Sequence, residues 1–300
     1  MIIAITGGSG FIGKLLVNRH IQQGDQVRLL SRKAPLKGVS ARYFFGDLSN
    51  PNVDLSSFLD NVDILYHCAG EINNESLMRE LHVNGTQRLT SVAKGKIGRW
   101  VQLSSVGVYG TCREGTITED SKVQPVGIYE KTKSESDKIV KNSGIPYVIL
   151  RPSNVFSDDM PNQSLRGLLS SIHKGLFFFI GKENESLVNY IHVSDVINAL
   201  ICCGSHEKSL GGVFNLSQST TVEKMITAFA PDKKILRLPK SVVRVIVVIF
   251  GRISGFPLTS SRFDALTGRC IYNSTKMQKI LAFKYSMTLE ERFVLFAKKK

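Results

Sequence analysis

The opening thirteen residues constrain the fold of this chain more than any other stretch. Ile2–Thr6 is a short apolar run, the pattern of a parallel strand covered on both faces. It leads directly into Thr6-Gly7-Gly8-Ser9-Gly10-Phe11-Ile12-Gly13. Gly7 lets the chain reverse tightly off a strand, Gly10 lets the backbone approach a pyrophosphate, and Gly13 lets a helix lie close to the sheet. The phosphates of a dinucleotide then meet the helix N-terminus, at Phe11 and Ile12, where free N–H groups and the dipole favour anions. Gly8-x-Gly10-x-x-Gly13 fits the general dinucleotide pattern as well, so spacing alone leaves the register open.

Strands and helices alternate behind this turn. Lys14 to Gln23 carries Leu15, Leu16, Val17 and Ile21 at helical spacing, and Gly24 closes it. Val27–Leu30, Asp63–Cys68, Trp100–Ser104 and Tyr147–Leu150 read as strands, with helical stretches near Leu77–Lys94 and Lys131–Asn142. Such alternation predicts an α/β fold with a doubly wound parallel sheet. Beyond Arg151 the pattern loosens: Leu165–His173 and Val193–Cys203 look helical, and Gly211–Leu216 reads as a returning strand. The expected organisation is a dinucleotide-binding domain over 1–155, with segments near 189–217 returning to it. A smaller substrate lobe takes most of 156–300.

The end of the second strand reports cofactor type. An NAD site usually carries Asp or Glu there for the ribose 2′-hydroxyl. This chain has Ser31-Arg32-Lys33, two cations and a hydroxyl that suit a 2′-phosphate. NADP is therefore expected ahead of NAD.

Proton chemistry is written in Tyr129-Glu130-Lys131-Thr132-Lys133 and in Ser104-Ser105. An alcohol that loses hydride must also lose its hydroxyl proton, and a tyrosinate can accept it. Tyrosine's ordinary pKa near 10 is too high for that at neutral pH. A lysine one helical turn on, at Lys133, lies on the same face and favours the charged form. A serine hydroxyl at a neighbouring strand end can bond the reacting oxygen.

Composition sets bounds. The chain is 42% hydrophobic and 21% charged, with a net charge of +14. The basic residues are dispersed apart from the Lys298-Lys299-Lys300 tail, and no aromatic-basic recognition motif accompanies them, so nucleic acid is not expected as a partner. An anionic small-molecule substrate or a negatively charged membrane surface fits such a field. Cys68, Cys112, Cys202, Cys203 and Cys270 are odd in number and lack metal-ligand spacing, so they read as reduced, and no metal is expected. The first residues are strand-like and lack a basic leader region, which points to the cytoplasm. Ser241–Phe250, Ser-Val-Val-Arg-Val-Ile-Val-Val-Ile-Phe, is too short to span a bilayer. It reads either as a buried lobe helix or, over about 240–254, as an interfacial helix peripheral to a membrane.

Further segments carry a resemblance. Gly46-Asp47-Leu48, Cys68-Ala69-Gly70, Asn84-Gly85-Thr86, Ser104-Ser105-Val106-Gly107-Val108-Tyr109-Gly110, Leu150-Arg151-Pro152-Ser153-Asn154-Val155-Phe156 and Tyr190-Ile191-His192-Val193-Ser194-Asp195-Val196 stand in this order. With the glycine turn and Tyr129/Lys133 they resemble the extended short-chain dehydrogenase/reductases, NAD-dependent epimerase/dehydratase group, over nearly the whole chain. The resemblance implies a Rossmann sheet with a C-terminal substrate lobe. It implies cofactor contacts at Asp47, Leu48, Cys68, Ala69, Gly70, Asn84, Ser104, Tyr129, Lys133, Pro152 and Val155. Ser105 takes the catalytic hydroxyl position, Asn154 a sugar-nucleotide contact, and His192 a structural place.

Departures from the family narrow the expectation. Dehydratases carry Asp-Glu after the catalytic hydroxyl residue, where this chain has Val106 and Gly107. Many epimerases place a phosphate-binding Arg ahead of the His192 segment, where Leu187-Val188-Asn189 stand here. Arg262 or Arg269 are the substitutes considered, with Arg262 taken as the substrate contact. The expected function is a nucleotide-sugar 4-keto reductase or 4-epimerase, in a chain that can form a homodimer. A reductase of apolar ketones, similar to dihydroflavonol reductases and 3β-hydroxysteroid dehydrogenases, is the alternative. A non-catalytic dinucleotide sensor is disfavoured by the intact Ser105, Tyr129 and Lys133.

Overall fold

Seven strands paired in parallel build the central sheet: β1 (Ile2–Thr6), β2 (Gln26–Ser31), β3 (Arg42–Phe45), β4 (Val62–His67), β5 (Ile97–Leu103), β6 (Tyr147–Pro152) and β7 (Val213–Leu216). The structure is a computed structural model, and it describes residues 1–32, 38, 40–160, 163–250 and 258–298. In space the strands run β7-β6-β5-β4-β1-β2-β3. The chain therefore reverses direction across the sheet between β1 and β4, the place where such sheets open a crevice at the carboxyl ends of their strands.

Side-chain alternation along the strands explains the two helical layers. Ile3, Ile5, Leu29, Ile64, Tyr66 and Val101 point to one face. There they pack with Leu16 and Val17 of α1 (Phe11–Gln22). The opposite face carries Ala4, Leu30, Leu65 and Trp100, packed with Leu89 and Ala93 of α2 (Gly85–Ala93) and Val140 of α3 (Ile128–Asn142). The first face also receives Val196, Leu200 and Cys203 of α4 (Val193–Ser205). A sheet buried on both sides needs runs such as Ile-Leu-Tyr-His in β4 rather than strict polar alternation.

The remaining elements form separate small sheets and a second core. Asn154–Phe156 pairs in parallel with Leu187–His192, which pairs antiparallel with Gln218–Thr221. Glu114–Ile117 pairs with Arg269–Tyr272, and Phe179–Ile180 with Arg237–Leu238. Phe156, Phe229, Phe293 and Phe296 centre the second core. The apolar helix α5 (Lys240–Phe250) packs Val243 and Val247 against Ile180 and Phe263.

Two features depart from the sequence reading, and one agrees with it. β3 is an edge strand whose Phe45 stays exposed, so no buried apolar run announced it. The helix expected over Leu77–Lys94 is interrupted by a π-helical turn, Glu80–Asn84, and such turns cluster at functional sites. His192 caps α4 by accepting from the Ser194 amide, the structural place assigned to it.

Candidate active site

The glycine turn lies at the reversal between β1 and β4. Gly7 has φ +70°, a conformation open to glycine. A Cβ there would sit 2.6 Å from the Ala69 amide nitrogen and 2.8 Å from the Cys68 carbonyl carbon. The turn is thus pressed onto the end of β4. At Gly13 a Cβ would lie 2.1 Å from the Gly7 oxygen, so α1 packs directly on the turn. Gly10 is the N-cap of α1, which has no side-chain cap. A Cβ on Gly10 would meet only the Gly7 oxygen, at 3.2 Å. Gly8 instead faces Leu29 at 2.8 Å. The register is therefore Gly7-x-x-Gly10-x-x-Gly13. The open backbone at Gly10 and the uncapped amides after it suit a diphosphate, and the residues present fit a dinucleotide.

At the end of β2 the Ser31 carbonyl accepts from the Gly46 amide at 3.1 Å. Arg32 is exposed and lies 3.7 Å from the Asp47 carboxylate. Burial raises the pKa of Asp47, but two hydrogen bonds from Ser49 and the charge of Arg32 outweigh it, leaving the carboxyl lower than usual. Glu71 is also lowered, by the amides of Asn73 and Asn74 and in smaller part by Arg32. A strand end bare of carboxylates was expected, and the fold instead brings Asp47 and Glu71 to Arg32 from other strand ends. Lys33 lies outside the described residues. Leu48 is buried, and its carbonyl accepts from Arg88 at 2.5 Å. Asn84 is exposed and donates to Glu80. Cys68 and Ala69 are tied to Thr6, through its carbonyl at 3.2 Å and its hydroxyl at 3.3 Å. Gly70 passes His82, whose Nε2 would lie 3.4 Å from a Cβ there.

Tyr129 and Lys133 lie one turn apart on α3. The Lys133 Nζ is buried and donates to the Leu103 carbonyl at 2.5 Å. Burial lowers its pKa, opposed by Asp137 and Cys68. Burial, with Glu130 and Asp137, pushes Tyr129 up to about 12, the reverse of the lowering expected from Lys133, because the buried hydroxyl is desolvated and faces two carboxylates. Its ring stands edge-on to His82, with centroids 5.7 Å apart. Ser105 is half-buried and accepts from the Gly107 amide at 3.1 Å. A Cβ on Gly107 would fall 3.3 Å from the Ser105 Oγ and 2.9 Å from Glu130 Cγ. Gly107 is thus what allows the Ser105 turn to close against the residue next to Tyr129.

A buried polar network supports this arrangement. The Ser104 hydroxyl donates to Asp137 at 2.9 Å, and Arg151 donates to the same oxygen from Nε and Nη2 at 3.2 and 2.9 Å. Arg151 also reaches the Tyr109 hydroxyl, which donates to Asn215. The Glu71 amide donates to His82 Nε2 at 2.8 Å, so Nδ1 carries the proton toward Thr132. His67 joins Thr6 and Thr86. Burial first, then Lys133, pushes both His67 and His82 down to about 3.

Among the expected substrate contacts, Asn154 is exposed and donates to the Asn189 carbonyl at 3.2 Å. Pro152 ends β6 buried, and Val155 is half-buried on the next strand. Arg262 is exposed on the Ser260–Thr267 helix, while Arg269 is held by Glu185 and Glu114. Sequence reasoning missed His82, Asp137 and Arg151. A signal existed for Asp137: Lys133, Ser136, Asp137 and Val140 repeat at helical spacing, a buried helix face with polar members. Among the described residues no cluster of three His, Cys, Asp or Glu is placed to hold a metal, and no helix is long and apolar enough to cross a membrane.

A glycine turn at the sheet reversal, beside a helix bearing Tyr129 and Lys133 and a serine turn closing on it, defines an enzyme of the extended short-chain dehydrogenase/reductase type. The chain belongs to the NAD dependent epimerase/dehydratase family, whose sequence pattern matches residues 3–217. It is 27% identical to a UDP-glucose 4-epimerase of Vibrio cholerae over 315 aligned residues, covering 97% of this chain and 93% of that protein. A dTDP-6-deoxy-L-talose 4-dehydrogenase (NAD(P)(+)) of Kitasatospora kifunensis is 33% identical over 56% of this chain and 57% of that one. The fold matches the UDP-glucuronic acid 4-epimerase of Bacillus cereus solved with NAD, at a TM-score of 0.74 and 18% identity, over 98% of this chain and 94% of that one.

Proposed function

We propose that this enzyme transfers hydride at C4 of a nucleotide sugar, with net reduction of a 4-keto sugar as its reaction. The observation that carries the proposal is the Ser105 turn closed on the helix of Tyr129 and Lys133. A bound nicotinamide supplies the hydride. Tyr129, protonated at neutral pH, gives the proton to the oxygen being reduced. Buried Lys133 stabilises the tyrosinate left behind, and the Ser105 hydroxyl orients the carbonyl oxygen. Asn154 and Arg262 are assigned to the nucleotide-sugar side.

Several features favour this reading over neighbouring chemistries. Elimination of water needs an acid-base pair after Ser105, and any side chain at Gly107 would strike Glu130. The intact Tyr129 and Lys133 speak against a sensor. Relatives acting at C4 of UDP- and dTDP-sugars support the substrate class. NADP is the favoured cofactor, NAD the other. An exposed ion pair such as Arg32–Asp47 is worth at most about 1 kcal/mol, so a 2′-phosphate can draw Arg32 away from Asp47. A reductase must exchange its cofactor each cycle, whereas an epimerase retains it, and the Ser31-Arg32 strand end favours the former.

The test is direct. Purified protein with NADPH and a nucleotide 4-keto sugar is expected to consume both. Interconversion of C4 epimers of a 4-hydroxy nucleotide sugar without added cofactor would make it an epimerase. Turnover confined to apolar ketones would move it to the dihydroflavonol-reductase-like class.

A further inference from the structure

Helix α5 is apolar on two opposite sides. Val243 and Val247 turn inward and pack with Ile180 and Phe263. At about 100° per residue, Val242, Val245 and Ile249 fall on the far side, with Val248 beside them. These four are exposed by 48, 57, 60 and 72% respectively. An apolar helix face is ordinarily buried, so the outward face calls for a cover. Lys240 and Arg244 lie on the helix, and the helix itself holds no acidic residue.

We propose that the outward face of α5 docks on an anionic lipid bilayer, the helix lying in the plane of the interface. Patch size and charge both favour this occupant over a second copy of the chain. A stable protein interface takes about 800 Å² and some 20–30 residues from each partner, whereas this patch is one side of a helix about 16 Å long. Charge points the same way. Valine and isoleucine on the outward face, flanked on the same helix by Lys240 and Arg244, match acyl chains bordered by lipid phosphates. The Lys and Arg stems can run along the apolar surface while their heads stay at the phosphate level. The molecule's net charge of +14 adds long-range attraction to such a surface. The helix is far shorter than the roughly 20 residues needed to span a bilayer, so contact is peripheral. None of this depends on the nucleotide-sugar reading.

Flotation of the full-length protein with phosphatidylglycerol/phosphatidylcholine vesicles tests it. Co-flotation is expected with these vesicles, weakening with salt and absent with pure phosphatidylcholine. Val245→Glu/Ile249→Glu is expected to weaken binding by at least about tenfold, and Arg244→Ser by about fivefold. All three positions are solvent-exposed, so the variants keep the parent's thermal midpoint and cofactor affinity, which are measured alongside. The proposal is overturned if the parent protein does not float with anionic vesicles, or if the double variant floats equally well. It is overturned equally if the double substitution converts a dimer to a monomer in sedimentation, which would give the face to a second copy.

Discussion

The Nζ of Lys133 donates to the carbonyl oxygen of Leu103, the last residue of β5, at 2.5 Å. Two residues beyond Leu103 stands Ser105, and one helical turn before Lys133 stands Tyr129. One buried hydrogen bond therefore ties the helix of the proton donor to the strand that delivers the serine. The lysine is held by the protein itself, independently of the Tyr129 hydroxyl.

From that independence, Tyr129→Phe is expected to lower turnover by about 10²–10⁴-fold while the cofactor dissociation constant stays within about threefold. Steady-state rates and fluorescence titration of the same preparation measure both. Turnover near the parent value would remove Tyr129 from the mechanism.

Two glycines in one turn are expected to fail differently. Gly10→Ala adds a methyl group whose only near neighbour is the Gly7 oxygen, at 3.2 Å. It should fold with little loss of stability and bind dinucleotide at least about tenfold more weakly. Gly13→Ala would place its methyl 2.1 Å from the same oxygen. Overpacking of that kind costs about 1–3 kcal/mol or more, so its thermal midpoint should fall. Equal behaviour of the two variants in thermal melts and titrations would contradict the assigned register.

Arg32 is expected to set the choice between NADP and NAD. A charge-assisted hydrogen bond to phosphate contributes about 1.5–3 kcal/mol, and release from Asp47 offsets up to about 1 kcal/mol of it. Roughly a tenfold preference for NADP should remain, and Arg32→Asp should abolish or invert it. Calorimetric titration with both cofactors measures this, and equal affinities in the parent protein would sink the assignment.

The buried histidines make stability depend on acidity. His67 and His82 are pushed from 6.5 down to about 3, so the unfolded chain binds protons that the folded one refuses. Their contribution is complete above about pH 6.5 and is lost as pH falls from there toward 3, by up to about 1.4 kcal/mol per pH unit for each group. Denaturant melts across that range should show the decline. A His82→Gln variant should show a shallower slope, and an unchanged slope would mean that His82 titrates freely in the folded protein.

Much of the core and of the site was legible as pattern. β1 was read with its final boundaries, and the strands at β2, β4, β5 and β6 were read to within a few residues. A strand covered on both faces has to be a continuous apolar run. β3 escaped because an edge strand with one exposed face need not be one. Tyr129 and Lys133 were legible because a four-residue interval places two side chains on one side of any helix.

Local spacing determined, by itself, the glycine turn, the alternation of strands and helices, and the shared face of Tyr129 and Lys133, because each is a periodicity within a single element. Only the tertiary structure decided which glycine meets which neighbour, since that depends on β4 lying beside β1. The same holds for Asp47 beside Arg32, for Arg151 and Ser104 converging on Asp137, and for His82 against Tyr129. Those contacts join elements distant in the chain, and periodicity says which face a residue occupies but not what packs opposite. α5 shows the limit most clearly: its valines announced an apolar helix, and only packing against Ile180 and Phe263 divided them into a buried side and an exposed one.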